Sequence, residues 1–249
     1  MTRIGVFDSG LGGVCTLNEL CGHMDADFYY LGDNLRVPYG GRSKAEIRKF
    51  SKDIVKFLEK FDIDYYIIAC NTISVTAADF LRESFEKKFI TITDAAIGAA
   101  ETCKGDFLAL ATKATVESHF YKKTLEKKTG ARVYEVAAAR LVDLIESGSL
   151  ESDVLDRALD EYLRLANERK IENIILACTH YPIIKDKIRK KLSYDVNIID
   201  PAAYLASKFP AKSPKNRVNI YMTRKSAKTK ELVDMIMDYD YEIEFVGDV

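Results

Sequence analysis

Ten short apolar runs, each about the length of a buried strand, alternate along this chain with longer stretches of helical period, and that alternation leaves few folds open. The runs are Ile4 to Phe7, Phe28 to Leu31, Tyr65 to Ala69, Phe89 to Ile92, Phe107 to Ala111, Val133 to Val136, Asn173 to Ala177, Val196 to Ile199, Arg217 to Tyr221 and Glu242 to Phe245. Parallel strands joined by crossover helices are what such a pattern builds, so the expected class is α/β. Among the intervening stretches, Ser43 to Lys60 opens on a capping serine and repeats apolar residues at Ile47, Phe50, Ile54 and Phe57, which predicts an amphipathic helix.

A chain of 249 residues has room for one large domain or two small ones. No Gly/Ser-rich linker or low-complexity segment marks a boundary between them. Instead the sequence echoes itself. Tyr66-Ile67-Ile68-Ala69-Cys70-Asn71-Thr72 is matched by Ile174-Ile175-Leu176-Ala177-Cys178-Thr179-His180, each an apolar strand ending in Ala-Cys and small polar groups. Gly5-Val6-Phe7-Asp8-Ser9 and Leu108-Ala109-Leu110-Ala111-Thr112 form a second pair at a similar offset. Two similar halves follow. In open parallel sheets ligands bind beyond the carboxyl ends of the strands, so facing halves would gather these polar strand ends around one crevice.

Composition removes several classes of function. A content of 47% hydrophobic and 30% charged residues excludes disordered and fibrous chains, and 37 basic against 38 acidic residues supplies no general attraction to nucleic acid or anionic lipid. The clusters Lys122-Lys123, Lys127-Lys128 and Lys185 to Lys191 read as solvated helix faces. No apolar stretch approaches the roughly 18 residues of a membrane span, no signal-peptide layout opens the chain, and the five scattered cysteines do not suit a disulfide framework. A cytoplasmic protein with free thiols, and with neither membrane nor nucleic-acid partners, is expected.

Cys70 and Cys178 carry the chemical possibilities. Each is expected at the end of a strand where a helix starts, and helix-terminal N–H groups can lower a thiol's pKa from its usual value near 8.5. Two thiols facing one another across a carbon form an acid–base pair that removes a proton from one face and returns one to the other, inverting the centre. The competing reading makes both cysteines simple core residues.

Asp8-Ser9-Gly10-Leu11-Gly12-Gly13 follows the first strand but does not fit a dinucleotide loop, because the third glycine position falls at Cys15 and Asp8 would face a pyrophosphate. An acid there suits an ammonium ligand or the tuning of a nearby base; capping of the following helix is the alternative. The loop Asp33 to Gly41 offers Arg36 for a carboxylate or for an internal pair with Asp33, and Tyr39 and Gly40 for a small anion. His180 could orient Cys178, stabilise its charge, donate a proton, or satisfy a buried partner, whereas His23 and His119 read as structural or surface groups. A zinc site from Cys70, Cys178 and His180 lacks the short ligand spacing that would support it.

In order along the chain, Ile4-Gly5-Val6-Phe7-Asp8-Ser9-Gly10, Gly32-Asp33, Arg36-Val37-Pro38-Tyr39-Gly40, Ala69-Cys70-Asn71-Thr72 and Ala177-Cys178-Thr179-His180-Tyr181-Pro182 resemble the cofactor-independent glutamate racemases of the aspartate/glutamate racemase superfamily. Fainter echoes are Thr112, Thr115, Ser118, Tyr121, the run Leu141 to Glu146, and Ile199-Asp200. The resemblance implies two similar doubly wound parallel-sheet domains related by pseudo-symmetry, with the active site in the cleft between them. Residues 1–92 plus 207–249 would form a discontinuous first domain and 93–206 the second.

It further implies alternating base and acid roles for Cys70 and Cys178, assistance from Asp8 and His180, and a supporting acid at Glu146. Substrate-contacting positions would be Asp8, Ser9, Pro38, Tyr39, Gly40, Asn71, Thr72, Thr112, Thr115, Thr179 and His180. No cofactor and no metal are implied; the substrate would be glutamate, its D-form destined for peptidoglycan, and the assembly a homodimer. The chain departs from the family at Ala137-Ala138, where many members carry Ala-Cys-Pro, so Glu146 is the position the resemblance fixes least. It also starts at the first strand, so control through an N-terminal extension that senses a cell-wall precursor is not expected. Racemisation of aspartate, one methylene shorter, and plain ligand binding without turnover remain the alternatives.

Overall fold

A computed structural model describes residues 1–209 and 215–249 of the chain. Part of the expected return segment, residues 210–214, lies outside the described residues. The strands are β1 (Thr2–Asp8), β2 (Ala26–Gly32), β3 (Tyr65–Ile68), β4 (Lys88–Thr91), β5 (Phe107–Ala111), β6 (Val133–Ala137), β7 (Asn173–Ala177), β8 (Asn197–Ile199), β9 (Arg217–Met222) and β10 (Glu242–Phe245). Between them run α1 (Gly13–Cys21), α2 (Lys44–Leu58), α3 (Asn71–Ser84), α4 (Ile92–Ala100), α5 (Lys113–Ser118), α6 (Phe120–Thr129), α7 (Ala139–Glu146), α8 (Asp153–Arg169), α9 (Lys185–Lys190), α10 (Pro201–Ala206) and α11 (Ala227–Ile236). Each predicted strand is present, with some ends moved by one or two residues. Ile92, expected in a strand, opens α4 because the Thr91 hydroxyl accepts from Asp94 N and turns the chain into a helix.

Two parallel sheets result, in the orders β10-β9-β2-β1-β3-β4 and β6-β5-β7-β8. The segment β2-β1-β3-β4 of the first sheet has the same order as β6-β5-β7-β8 of the second, so the sequence echo is an echo of topology. Side chains alternate across both sheets, as a pleated strand requires. In the first, Ile4, Val6 and Ile67 enter one core while Phe7, Tyr66 and Ile68 enter the opposite one. In the second, Leu108, Leu110 and Ile174 face one core while Phe107, Ala109 and Ile175 face the other. Burial on both faces is why these strands read as continuous apolar runs.

The helices obey local rules as well. Ser43 caps α2, accepting from Glu46 N while the Glu46 side chain returns to Ser43 N. α4 joins the two halves: Ile92 and Ala95 pack into the first half's core, and Ala96, Ile97 and Ala100 into the second's. α10 lies beside it, with Ala202, Leu205 and Ala206 in the first half's core.

Candidate active site

The carboxyl ends of strands from both sheets converge on a cavity of about 240 Å³. Ser9 after β1, Pro38, Tyr39 and Gly40 after β2, and Cys70, Asn71 and Thr72 after β3 reach it from the first half. Thr112 after β5 and Cys178, Thr179 and His180 after β7 reach it from the second. Most of the predicted ligand positions thus form its wall. Asp8, Thr115 and Glu146 lie behind that wall.

Asp8 is fully buried at the end of β1, and its Oδ2 accepts from Gly10 N at 3.1 Å and Gly13 N at 3.2 Å. The carboxylate thus holds the loop and also receives the first N–H of α1. Its Oδ1 accepts from Thr179 Oγ1 at 3.3 Å, which ties the first half to the second. Burial pushes the Asp8 carboxyl up from its ordinary value, against the opposing pull of His180, the two glycine N–H groups and Cys70. The glycines serve close approach: a Cβ on Gly12 would sit 2.5 Å from both His180 Nδ1 and Thr179 Oγ1.

The two thiols occupy unequal settings. Cys70 is the N-cap residue of α3 and donates to Ser9 Oγ at 3.5 Å. The expectation of an acidified thiol does not hold for it. Burial, with the Asp8 charge behind it, pushes the Cys70 thiol up and outweighs the Ser9 and backbone hydrogen bonds.

Cys178 departs from expectation in another way, being followed by a 3-10 turn, Tyr181–Ile184, rather than by an α-helix. The buried Tyr181 side chain anchors that turn to the end of β6, donating its hydroxyl to Ala138 O at 3.0 Å. Cys178 Sγ lies 3.8 Å from His180 Nδ1, and His180 Nε2 lies 2.9 Å from Glu146 Oε1. Burial alone would lower the His180 pKa, but Cys178 on one nitrogen and Glu146 on the other push it up to about 10. Despite Ala137-Ala138, β6 delivers the chain directly into α7, whose last residue is Glu146. This second-half cysteine therefore has an imidazole and a carboxylate in series behind it.

Further contacts close the cleft. Thr72 Oγ1 and Thr112 Oγ1 meet at 2.9 Å across the halves, and Tyr121 on α6 donates to Asn71 Oδ1 at 2.6 Å. Thr115 is fully buried and hydrogen-bonds to Thr112 Oγ1 at 3.0 Å, so it positions a wall residue rather than forming the wall. Tyr39 presents its ring to the cavity, but its hydroxyl is committed to Asp33. Arg36 also goes to Asp33, through Nε at 2.5 Å, which is the internal pairing of the two considered.

Several wall residues were not singled out from the sequence: Val37, Gly41, Lys113, Ala139, Val142 and Asp143. A signal for three of them was present. Ala139, Val142 and Asp143 stand at helical spacings from Glu146 and from each other, so the helix that delivers Glu146 must present one face to the cleft. Among the described residues, no group of three or more His, Cys, Asp or Glu side chains is arranged to hold a metal ion. None of the described helices is long and apolar enough to cross a membrane.

Two pseudo-symmetric α/β halves that each present a cysteine to a shared cavity define an amino-acid racemase class of enzyme. Residues 15–209 match the family described as Asp/Glu/Hydantoin racemase, and the chain belongs to that family. It is 36% identical over 248 residues to a glutamate racemase of Persephonella marina, covering 97% of this chain and 95% of that one. With glutamate racemase 3 of Caldanaerobacter subterraneus the identity is 41% over 221 residues, or 87% and 80% of the two chains. The crystal structure of a Francisella tularensis glutamate racemase in complex with D-glutamate superposes with a TM-score of 0.86 at 31% identity, covering 99% of this chain and 97% of that one.

Proposed function

We propose that this chain interconverts L- and D-glutamate by a two-thiol acid–base mechanism, supplying D-glutamate for peptidoglycan, and that it works in the cytoplasm as a homodimer. The observation that carries the mechanism is that Cys70 and Cys178, equivalent in topology, line one cavity from different sheets. The names of its relatives support glutamate as substrate. Residues 1–92 with 207–249, and 93–206, are the two closing domains in this reading.

One cysteine, as thiolate, takes the α-proton, and the electron pair left on carbon delocalises into the α-carboxylate. The other cysteine, as thiol, delivers its proton to the opposite face, so the carbon is inverted and the two sulfurs have exchanged protonation states. No pyridoxal group is needed in this scheme. Instead the enolate-like charge is met by preorganised donors in a closed site, the Ser9 hydroxyl, the Asn71 amide and the N–H groups of the Tyr39-Gly40 turn, while the Thr72, Thr112 and Thr179 side chains, whose protons are held in hydrogen bonds within the protein, shape the pocket around it. Pro38 shapes that turn. Asp8 steadies Thr179 and the glycine loop beside Cys70, while His180, backed by Glu146, accepts the Cys178 proton when that sulfur serves as base.

The test is α-proton exchange in deuterated water with L-glutamate, D-glutamate or L-aspartate and no added cofactor, followed by NMR and optical rotation together. Exchange with inversion of glutamate is expected; inversion of aspartate in its place would overturn the substrate, and no exchange would overturn the activity. Because the two enantiomers have equal free energy in solution, kcat/KM for net interconversion is the same in both directions. Asymmetry must therefore be read from exchange. Cys70→Ser should lose proton removal from one enantiomer and Cys178→Ser from the other, with net racemisation in both down by roughly 10³-fold or more. Equal and mild losses of exchange would refute the two-base assignment.

A further inference from the structure

Resting on the racemase reading, we infer that Tyr121 is a positioning residue: by donating its hydroxyl proton to Asn71 Oδ1, it turns the Asn71 amide so that Nδ2 faces the cavity as a donor to an anionic oxygen of the substrate. An asparagine amide has two ends of nearly equal shape and opposite polarity, so an asparagine beside a carboxylate attracts or repels it according to which end points inward. Asn71 occupies the first helical position after Cys70 and lines the cavity. Its orientation must be set by something outside the cavity.

Tyr121 is that influence. The residue is fully buried in the second half's core, among Phe107, Ala109 and Ala111, and its hydroxyl lies 2.6 Å from Asn71 Oδ1. Burial also pushes the Tyr121 pKa up, so the oxygen keeps a proton that requires an acceptor. Among the described residues, Asn71 Oδ1 is the acceptor it has. If the amide turned over, Nδ2 would meet the phenol oxygen as a second donor, and the phenol proton would be left buried without a partner. The orientation that satisfies the tyrosine leaves Nδ2 pointing away from it. Among the described residues that nitrogen donates to no protein group, nor is it among the buried polar atoms left without a partner, which fits an end open to the cavity.

The contact has a second property. Tyr121 belongs to α6 of one half and Asn71 to α3 of the other, so the amide is oriented only when the halves are together. Donor orientation is thereby tied to closure, alongside the Thr72–Thr112 contact.

Tyr121→Phe removes the oxygen and keeps the ring. The expected result is a rise in KM of about tenfold for both enantiomers, with kcat changed by less than threefold and the melting temperature by only a few degrees. On an Asn71→Ala background, which itself raises KM, Tyr121→Phe should add less than twofold. An unchanged KM in the single variant, or effects that multiply in the double variant, would overturn the inference. A readout independent of turnover is the side-chain amide ¹⁵N–¹H pair of Asn71, assigned by its disappearance in Asn71→Ala. It should be sharp in the parent protein and shifted or broadened in Tyr121→Phe, and an unaltered pair would refute the positioning role. If the parent protein fails to racemise glutamate, the racemase reading falls and the amide signal still decides what Tyr121 does.

Discussion

Replacing Glu146 by Gln isolates the part played by charge behind Cys178. The side chain keeps its size and its hydrogen-bonding capacity toward His180 Nε2, now 2.9 Å from the carboxylate, but loses the charge. Opposite charges about 4 Å apart attract by about 4 kcal/mol at the effective dielectric of about 20 that suits partly buried sites. The Glu146 side chain is 23% exposed while that of His180 is 4% exposed, so solvent screening reduces this to about 2 kcal/mol. That is roughly thirtyfold in the population of the protonated His180 ring. We expect kcat/KM to fall by about that factor, equally in both directions, with KM changed by less than twofold. pH adds a signed test. The folded-state pKa of His180 lies above its ordinary 6.5, so the stability its protonation contributes is complete below pH 6.5 and is lost as pH rises through about 10. In Glu146→Gln that loss should begin about 1.5 pH units lower, moving the alkaline limb of both the melting temperature and kcat/KM downward. Steady-state kinetics from pH 6 to pH 10, with calorimetry over the same range, provide the measurement. Turnover within twofold of the parent and an unmoved alkaline limb would refute the series of carboxylate, imidazole and thiol.

Gly12→Ala should fold with a penalty of about 1–3 kcal/mol and lose most of its turnover, because the added methyl meets His180 Nδ1 and Thr179 Oγ1 at 2.5 Å; a variant with normal kcat would show that those groups need no fixed position. Asp8→Ala orphans the N–H groups of Gly10 and Gly13 and should cost about 2–3 kcal/mol of stability by denaturant melt, whereas Asp8→Asn keeps an acceptor, should cost less, and should still lose turnover. Equal melting temperatures for the two would argue against the carboxylate's role in holding the loop.

Fold and site differ in how openly the sequence declares them. Strands buried on both faces, such as Phe107–Ala111 and Asn173–Ala177, leave a continuous apolar signature, and the Ala-Cys echo located both thiols at equivalent strand ends. Local chemistry was legible too, as in the Ser43 and Glu46 cap. What stayed hidden depends on which partner each polar group finds once the chain has folded. That the Tyr39 hydroxyl serves Asp33 follows from how the loop folds back on itself, and that Thr115 stands behind Thr112 follows from the pitch of α5. The full setting of the Cys70 thiol was hidden for the same reason. Its place at the start of α3 is visible in the sequence, but the enclosure and the Asp8 carboxyl that outweigh the helix terminus are assembled from other strands.

Both sulfurs are nearly sealed, at 5% exposure for each cysteine, and under the proposed two-thiol mechanism that would give the protein a memory. After converting an L-molecule, the sulfur that took a proton still holds it and its counterpart is bare, so the protein is set to run the reverse passage. Before accepting another L-molecule it must move one proton back. With each sulfur so little exposed, that resetting would wait on the proposed domains parting rather than on direct exchange with bulk solvent. At low substrate the record is erased between encounters. At high substrate it persists from one encounter to the next, and the pace of turnover is set by how fast the enzyme forgets which hand it last held.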